Sequence, residues 1–289
     1  MKHDSSSGHL EKREAEELVP DEDSKGWKSD AKKNIPGMKE LYNRFPDADW
    51  YIMIDDDTYV FMDNLKTALN KYDPNEPYYL GAATNFIGCD GITEWGTSPY
   101  FAHGGSGIVV SKGALKRMIP LTEKCIAKYD ECWAGDIRLG LCLRDAGVLV
   151  KNGGYFSPDA PTNHFNFSFP CATPRTFHHL LPEQIQKLYE LEQVAKSKNQ
   201  TVLLADVFQA FMDDSAHMGY DRPGGDYKNL TSDSADDCKK LCKSYPKCVA
   251  YTFVGRSCQL KSTAPQMKSK WGAVTGLITE HFVCNDRSL

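Results

Sequence analysis

Three consecutive carboxylates, Asp55, Asp56 and Asp57, follow directly on the run Trp50-Tyr51-Ile52-Met53-Ile54. That run is short, apolar and β-prone, so it predicts a buried strand. Ligands of open α/β sheets bind just beyond the carboxyl ends of the strands. Carboxylates at that place suit a hard divalent cation, which prefers oxygen ligands. The cation can in turn bind a diphosphate and neutralise the charge that builds on a departing nucleotide diphosphate. The plain alternative is a solvated acidic turn. Three adjacent carboxylates repel one another, and without a cation that arrangement is costly.

The elements that must position this cluster follow from spacing. A helical stretch begins near Pro36, with Met38, Leu41, Tyr42 and Phe45 on one face. After the acidic cluster, Leu65, Leu69 and Tyr72 mark an amphipathic helix that stops at Asp73-Pro74, and Tyr78-Tyr79-Leu80 reads as a second strand. The glycine-rich His103-Gly104-Gly105-Ser106-Gly107 leads into the apolar Ile108-Val109-Val110, and residues 112 to 118 look helical. Asp136 to Ala146 is a helix stopped by Gly147, and Val148-Leu149-Val150 is a further strand. The stretch 158–182, rich in Pro, His and Phe, reads as an irregular loop, and Glu183 to Lys196 as a helix opened by Pro182. Strands alternating with helices predict an α/β layer fold.

Composition narrows the function. The 289 residues carry 34 Lys and Arg against 39 Asp and Glu, a net charge of −5, with a pI near 5.9. That balance argues against a nucleic-acid partner, which calls for a basic face. No apolar run reaches the ~18 residues that a membrane helix needs. Residues 1–30 are polar and charged and read as a disordered lead-in, with neither a signal peptide nor an anchor. Cys238, Cys242, Cys248, Cys258 and Cys284 crowd the end of the chain without a C-x-x-C pair, which favours disulfides in an oxidising compartment over zinc. Sequons at Asn166-Phe-Ser168, Asn199-Gln-Thr201 and Asn229-Leu-Thr231 agree with passage through the secretory pathway. Residues 213–235, rich in Gly, Asp and Ser, read as a linker or the entry to a second unit.

Four segments, in order, resemble the family 31 glycosyltransferases, above all the core 1 β-1,3-galactosyltransferases and the Fringe proteins. They are DWYIMIDDDTYVFMDNL with its D-x-D, FAHGGSGIVVSKGALKRM, ECWAGDIRLGLCL and ATPRTFHHLLPEQI, between about residues 40 and 190. In the third, Gly135 stands where an acidic residue is usual. The resemblance implies a GT-A fold, a divalent cation, usually Mn2+, a UDP-sugar donor, and inversion at the anomeric carbon. It makes Asp57 the most direct metal ligand and His178 the second, with neighbouring His179 a rival. It sets Asp55 nearer the ribose and the metal's waters, with Asp56 beside it in the donor site. Asp136 becomes the base that takes the acceptor's proton, or else simply a helix-start carboxylate. Gly104, Gly105 and Gly107 would let backbone approach donor or acceptor, or else form a tight turn. Trp95 and Trp133 could stack on sugars or only pack. Cys125 and Cys142 resemble a cysteine pair beside the acidic helix, with Cys132 lying between them.

Only 54 residues precede Asp55. By the resemblance, a βαβ-containing half domain and a membrane-anchoring stem belong there, so the GT-A fold is expected to be incomplete at its N-terminus. DCKKLCKSYPKCVAYTFVGRSCQLK resembles a PAN/Apple module, a small disulfide-rich α+β unit. That resemblance implies the pairs Cys242–Cys248 and Cys238–Cys258, and leaves Cys284 to pair elsewhere or stay free. The expected organisation is a lead-in (1–30), a transferase domain (31–212) and a PAN/Apple-like domain (213–289). The expected function is a metal-dependent inverting β-1,3-glycosyltransferase, moving galactose from UDP-galactose to N-acetylgalactosamine on glycoproteins. The full-length form would be a Golgi type II membrane protein facing the lumen of the secretory pathway. The other readings are a Fringe-like β-1,3-N-acetylglucosaminyltransferase and a non-catalytic lumenal or secreted binding protein that works through its PAN module.

Overall fold

The structure, a computed structural model, describes residues 30–161 and 169–284. The expected lead-in, up to residue 29, and the sequon at Asn166 lie outside the described residues.

In chain order the elements are α1 (Asn34–Arg44), β1 (Trp50–Met53), β2 (Tyr59–Val60), α2 (Met62–Leu69), β3 (Tyr79–Gly81), β4 (Ala83–Thr84), β5 (Phe101–Ala102), β6 (Ile108–Ser111), α3 (Lys112–Met118), α4 (Thr122–Lys128), α5 (Gly135–Asp145), β7 (Val150–Asn152) and β8 (Tyr155–Ser157). There follow β9 (Pro174–Phe177), α6 (Pro182–Ser197), α7 (Leu204–Phe211), β10 (His217–Asp221), β11 (Asp226–Thr231), α8 (Ala235–Ser244), β12 (Ala250–Val254), β13 (Ser257–Lys261) and β14 (Lys268–Leu277). Among the described residues, no helix is long and apolar enough to cross a membrane. The fold is mixed α/β, and it divides into two compact units, residues up to 56 with 69–153, and 57–68 with 154–289.

The first unit is built on a four-stranded sheet in the order β1-β6-β3-β7, antiparallel except for β3 with β7. Ile108, Val109 and Val110 of β6 are fully buried, as a central strand covered on both faces requires. Helices α1, α3 and α5 pack on this sheet through Met38, Ala114, Leu115, Ile137 and Leu141. Ser111 ends β6 and caps α3, its Oγ accepting from the Ala114 amide at 3.1 Å. Two disulfides, Cys89–Cys132 and Cys125–Cys142, staple this unit. The second is the pair the family resemblance implied, and the first settles where Cys132 goes.

The second unit holds a three-stranded sheet, β2-β9-β8, and a five-stranded antiparallel sheet, β10-β14-β12-β13-β11. Tyr59, Phe61, Phe177, Leu188 and Val207 form the core beside the smaller sheet. Helix α6 begins at Pro182, and Gln184 Oε1 accepts from the Leu181 amide at 2.9 Å, closing its first turn. Helix α8 is pinned to the larger sheet by Cys238–Cys258, and Cys242–Cys248 ties its end to the approach to β12; both pairs are those the PAN-like pattern implied. Cys284 is not free. It bonds Cys171, and no spacing rule within the module could have given that partner.

Three sequence expectations are corrected. The stretch 158–182 is not all loop, because β9 lies inside it, with Phe177 and Thr176 buried. Of the two readings of 213–235, the linker is excluded and the entry to a second unit stands, because β10 and β11 occupy it as the two edges of the larger sheet and the strands run on into that unit. Both strands are exposed along most of their length, so they lack the apolar run that marks a buried strand. The strand expected at 148–150 begins at Val150 instead, after the left-handed turn at Gly147.

Candidate metal and donor site

Strand β1 ends at Met53 and the chain leaves the sheet, so Asp55 and Asp56 are exposed at the strand's carboxyl end as expected. The chain passes into the second unit at Asp57. There the pairing of β2 with β9 controls the geometry. Tyr59 lies opposite Phe177 and Val60 opposite Thr176 in antiparallel register. The two segments stay together beyond the strands, with the Leu180 amide donating to the Asp57 carbonyl at 3.1 Å. This register brings His178 and His179 alongside Asp57.

His178 is buried, and its Nε2 lies 3.1 Å from Asp57 Oδ1. Its Nδ1 is 3.0 Å from the Pro158 carbonyl. A carbonyl only accepts, so Nδ1 carries a proton, and in the neutral ring Nε2 then presents its lone pair toward Asp57. A lone pair and a carboxylate oxygen at that distance need a cation, or a second proton, between them. Adjacent ligand atoms about 2.1 Å from an octahedral ion lie about 3.0 Å apart, so the pair fits a divalent cation. The carbonyl behind the imidazole is the outer support that metal-ligating histidines usually have.

His179 has a left-handed backbone (φ 55°), is largely exposed, and sets its Nδ1 3.6 Å from Asp159 Oδ1. Its ring stacks on that of His178 with centroids 3.9 Å apart. Ligand atoms of Asp57, His178 and His179 lie within 4.8 Å of one another. Of the two histidines, His178 is the one in direct reach of Asp57.

In the first unit, Asp136 opens α5. Its Oδ2 accepts from the Gly104 amide at 2.7 Å and its Oδ1 from the Ile137 amide at 2.8 Å. A Cβ on residue 104 would come within 3.1–3.4 Å of the carboxyl group, so glycine is what permits this close approach. Burial raises the Asp136 pKa above the ordinary carboxylate value, and the charge of Asp55 pushes the same way. The two amides and His103 pull against that rise. Gly105 is buried in the same turn. His103 Nδ1 accepts from the Ser106 amide at 3.3 Å, and Ser106 Oγ donates to the His103 carbonyl at 2.9 Å.

Trp133 donates its Nε1–H to the Ile87 carbonyl at 2.8 Å and packs against the core, whereas Trp95 is exposed. The sequence reading missed Pro158, Asp159 and His103. Pro158 and Asp159 act by position in the fold, which no residue-type pattern announces. His103 was in view only as the start of the glycine-rich segment.

Residues 9–152 match the Fringe-like family model, and residues 220–267 match the PAN domain model. The first match begins inside the charged lead-in and includes Asp55, Asp56, Asp57, Gly104, Gly105 and Asp136; His178 lies beyond it. A human beta-1,3-glucosyltransferase is 28% identical over 147 residues, covering 50% of this chain and 28% of its own length. A Xenopus laevis glycoprotein-N-acetylgalactosamine 3-beta-galactosyltransferase 1 is 28% identical over 133 residues, 43% of this chain and 33% of that protein. A human chondroitin sulfate glucuronyltransferase is 33% identical over 115 residues, 38% and 13% of the two lengths. The chain spans a third or less of the length of these relatives. With both regions matched, the chain carries a Fringe-like domain of the family 31 glycosyltransferases, followed by a PAN domain.

Proposed function

We propose that this protein is a metal-dependent, inverting β-1,3-glycosyltransferase that uses a UDP-sugar. The observation that carries the reading is the Asp57–His178 pair, a carboxylate oxygen and an imidazole nitrogen 3.1 Å apart, with the other ring nitrogen 3.0 Å from the Pro158 carbonyl. A bound Mn2+ would supply a Lewis acid for the leaving diphosphate. Asp57 and His178 would hold it, and Asp55 and Asp56 would serve the donor, Asp55 nearer its ribose. Asp136, with its pKa raised, takes the proton from the acceptor hydroxyl as that oxygen attacks the sugar. The Gly104 amide aims that carboxylate, and Gly104 and Gly105 would let backbone approach the donor.

The relatives' printed activities differ in sugar, being glucosyl, galactosyl and glucuronyl transfer. Within that range we favour galactose from UDP-galactose, with N-acetylgalactosamine on a glycoprotein as acceptor, in the lumen of the secretory pathway. The transferase portion is taken as residues 31–212 and the PAN/Apple-like portion as 213–289.

Calorimetry of UDP with and without Mn2+, on the oxidised chain and on Asp57→Ala and His178→Ala, tests the reading. Binding of UDP that needs Mn2+ and is lost in both variants supports it. UDP binding that ignores Mn2+, or Mn2+-dependent binding untouched by either variant, refutes the ligand pair.

A further inference from the structure

The larger sheet presents a modification site that the transferase reading does not use. Strand β11 is an outer strand of that sheet, paired among the described residues on one side only, to β13. From Lys228 to Thr231 the pairing is regular, each residue advancing one step against β13. Side chains alternate along such a stretch. Lys228 and Leu230 turn to the α8 side: Lys228 Nζ lies 4.2 Å from the centre of the Tyr245 ring and donates to its hydroxyl at 2.9 Å, and Leu230 packs on the cluster of Cys238, Cys242 and Tyr251. Asn229 and Thr231 therefore share the opposite face, and both are exposed. The sequon Asn229-Leu-Thr231 thus sets its amide and its hydroxyl together in solvent and turns its middle residue inward. Asn229 Oδ1 accepts from Ser257 Oγ at 2.8 Å, which directs the carboxamide oxygen toward β13 and the nitrogen, the reacting atom, away from it.

The geometry points to Asn229 as an N-glycosylated residue whose glycan stands over the open edge of the larger sheet. In the reaction, Asn229 Nδ2 forms a bond to the sugar's anomeric carbon, and the bond from that carbon to a lipid-linked diphosphate breaks. The lipid diphosphate departs with the electron pair and the amide gives up one proton. The co-reactant is a lipid-diphosphate oligosaccharide of the compartment in which five disulfides form. The folded chain keeps such a glycan without moving a core side chain, because the two residues that pack, Lys228 and Leu230, are on the other face. The glycan also covers an outer strand whose unpaired backbone groups would otherwise invite another strand. The inference does not depend on the transferase reading.

The test is secretion of the full chain from eukaryotic cells behind an added leader, followed by peptide mass mapping with and without peptide-N-glycosidase. The expected result is a glycosylated Asn229 peptide, lost in Asn229→Gln and in Thr231→Ala and kept in Thr231→Ser. An unmodified Asn229 peptide in secreted chain with all five disulfides formed overturns the site, whatever Asn199 carries. Light scattering tests the shielding of the edge. Asn229→Gln should self-associate on warming at a lower concentration than the glycosylated parent, by several-fold, while Asn199→Gln should not. Equal self-association of Asn229→Gln and the parent overturns the shielding.

Discussion

Removing the Cys171–Cys284 disulfide with the double substitution Cys171→Ala/Cys284→Ala has a magnitude that the structure fixes. The bridge closes a stretch of 113 residues. The nested Cys238–Cys258 bridge, which spans 20, shortens the effective loop to about 93. In the chain-entropy account, opening a loop of that size returns about 4.7 kcal/mol of freedom to the unfolded chain. Cys284 sits in a cluster with Leu203, Phe208, Val249, Leu277 and Phe282, with Cys171 packed against it, so helix α7 and the PAN sheet share a core at the bridge. For a folding unit of about 150 residues the loss translates to a fall in melting temperature of about 10–20 °C. The assay is thermal and urea unfolding of parent and variant, after peptide mapping has shown the other four bridges intact. The urea slope should also rise, because the released unfolded chain is more expanded. A melting temperature within about 3 °C of the parent, with the four bridges intact, would refute the loop argument.

Two further predictions concern the first unit. Because the Asp136 pKa is raised, the carboxylate gains its proton at a higher pH than an ordinary aspartate, so the acidic limb of kcat/KM should lie above the usual carboxylate range. Gly104→Ala crowds the Gly104–Asp136 hydrogen bond, which favours the charged form, so that limb should move further up and kcat/KM should fall ~10-fold or more; a pH profile that stays where it was speaks against Asp136 as the base. Gly113→Ala would put a Cβ 2.0 Å from the Asn75 carbonyl oxygen, a backbone atom that cannot swing away, while the Gly113 amide is held by the Pro74 carbonyl at 2.9 Å. That overpacking should cost ~3 kcal/mol or more in denaturant unfolding, where a change under ~0.5 kcal/mol would contradict the packing described.

How much was legible in the sequence varies with the kind of signal. Strand β1 and its acidic end were visible as a short apolar run that stops at charge, although β1 is an outer strand with only Tyr51 buried rather than the buried strand expected. Helices α3, α5 and α6 were visible through their periodicity and their stop and start residues. Strands β10 and β11 were hidden because outer strands with exposed faces have polar, glycine-bearing sequences that look like linker. Strand β9 was hidden among prolines and histidines, with β-prone residues too few to form a run. The Cys171–Cys284 pair was illegible for a different reason. Cysteine pairing over 113 residues is decided by which segments share a core, and here α7 and the PAN sheet do.

The proposed metal pair shows where motif reading stops and folding takes over. Asp57 and His178 were both nameable from their segments, yet nothing in either segment says that they meet. Their meeting is set by the register of β2 on β9, and that register is held by aromatic packing. Phe61 lies edge-on to Tyr59, with ring centroids 5.0 Å apart, and edge-on to Phe177 at 6.3 Å. The Tyr59 hydroxyl donates to buried Glu192 at 2.6 Å, which ties β2 to helix α6, and Asn64 Nδ2 donates to the Pro174 carbonyl at 2.9 Å, tying the start of α2 to β9. A one-residue slip would exchange the faces of every side chain on β2 and leave each of these contacts unmade. The residues that set Asp57 against His178 are therefore aromatic, amide and carboxylate side chains outside the proposed chemistry.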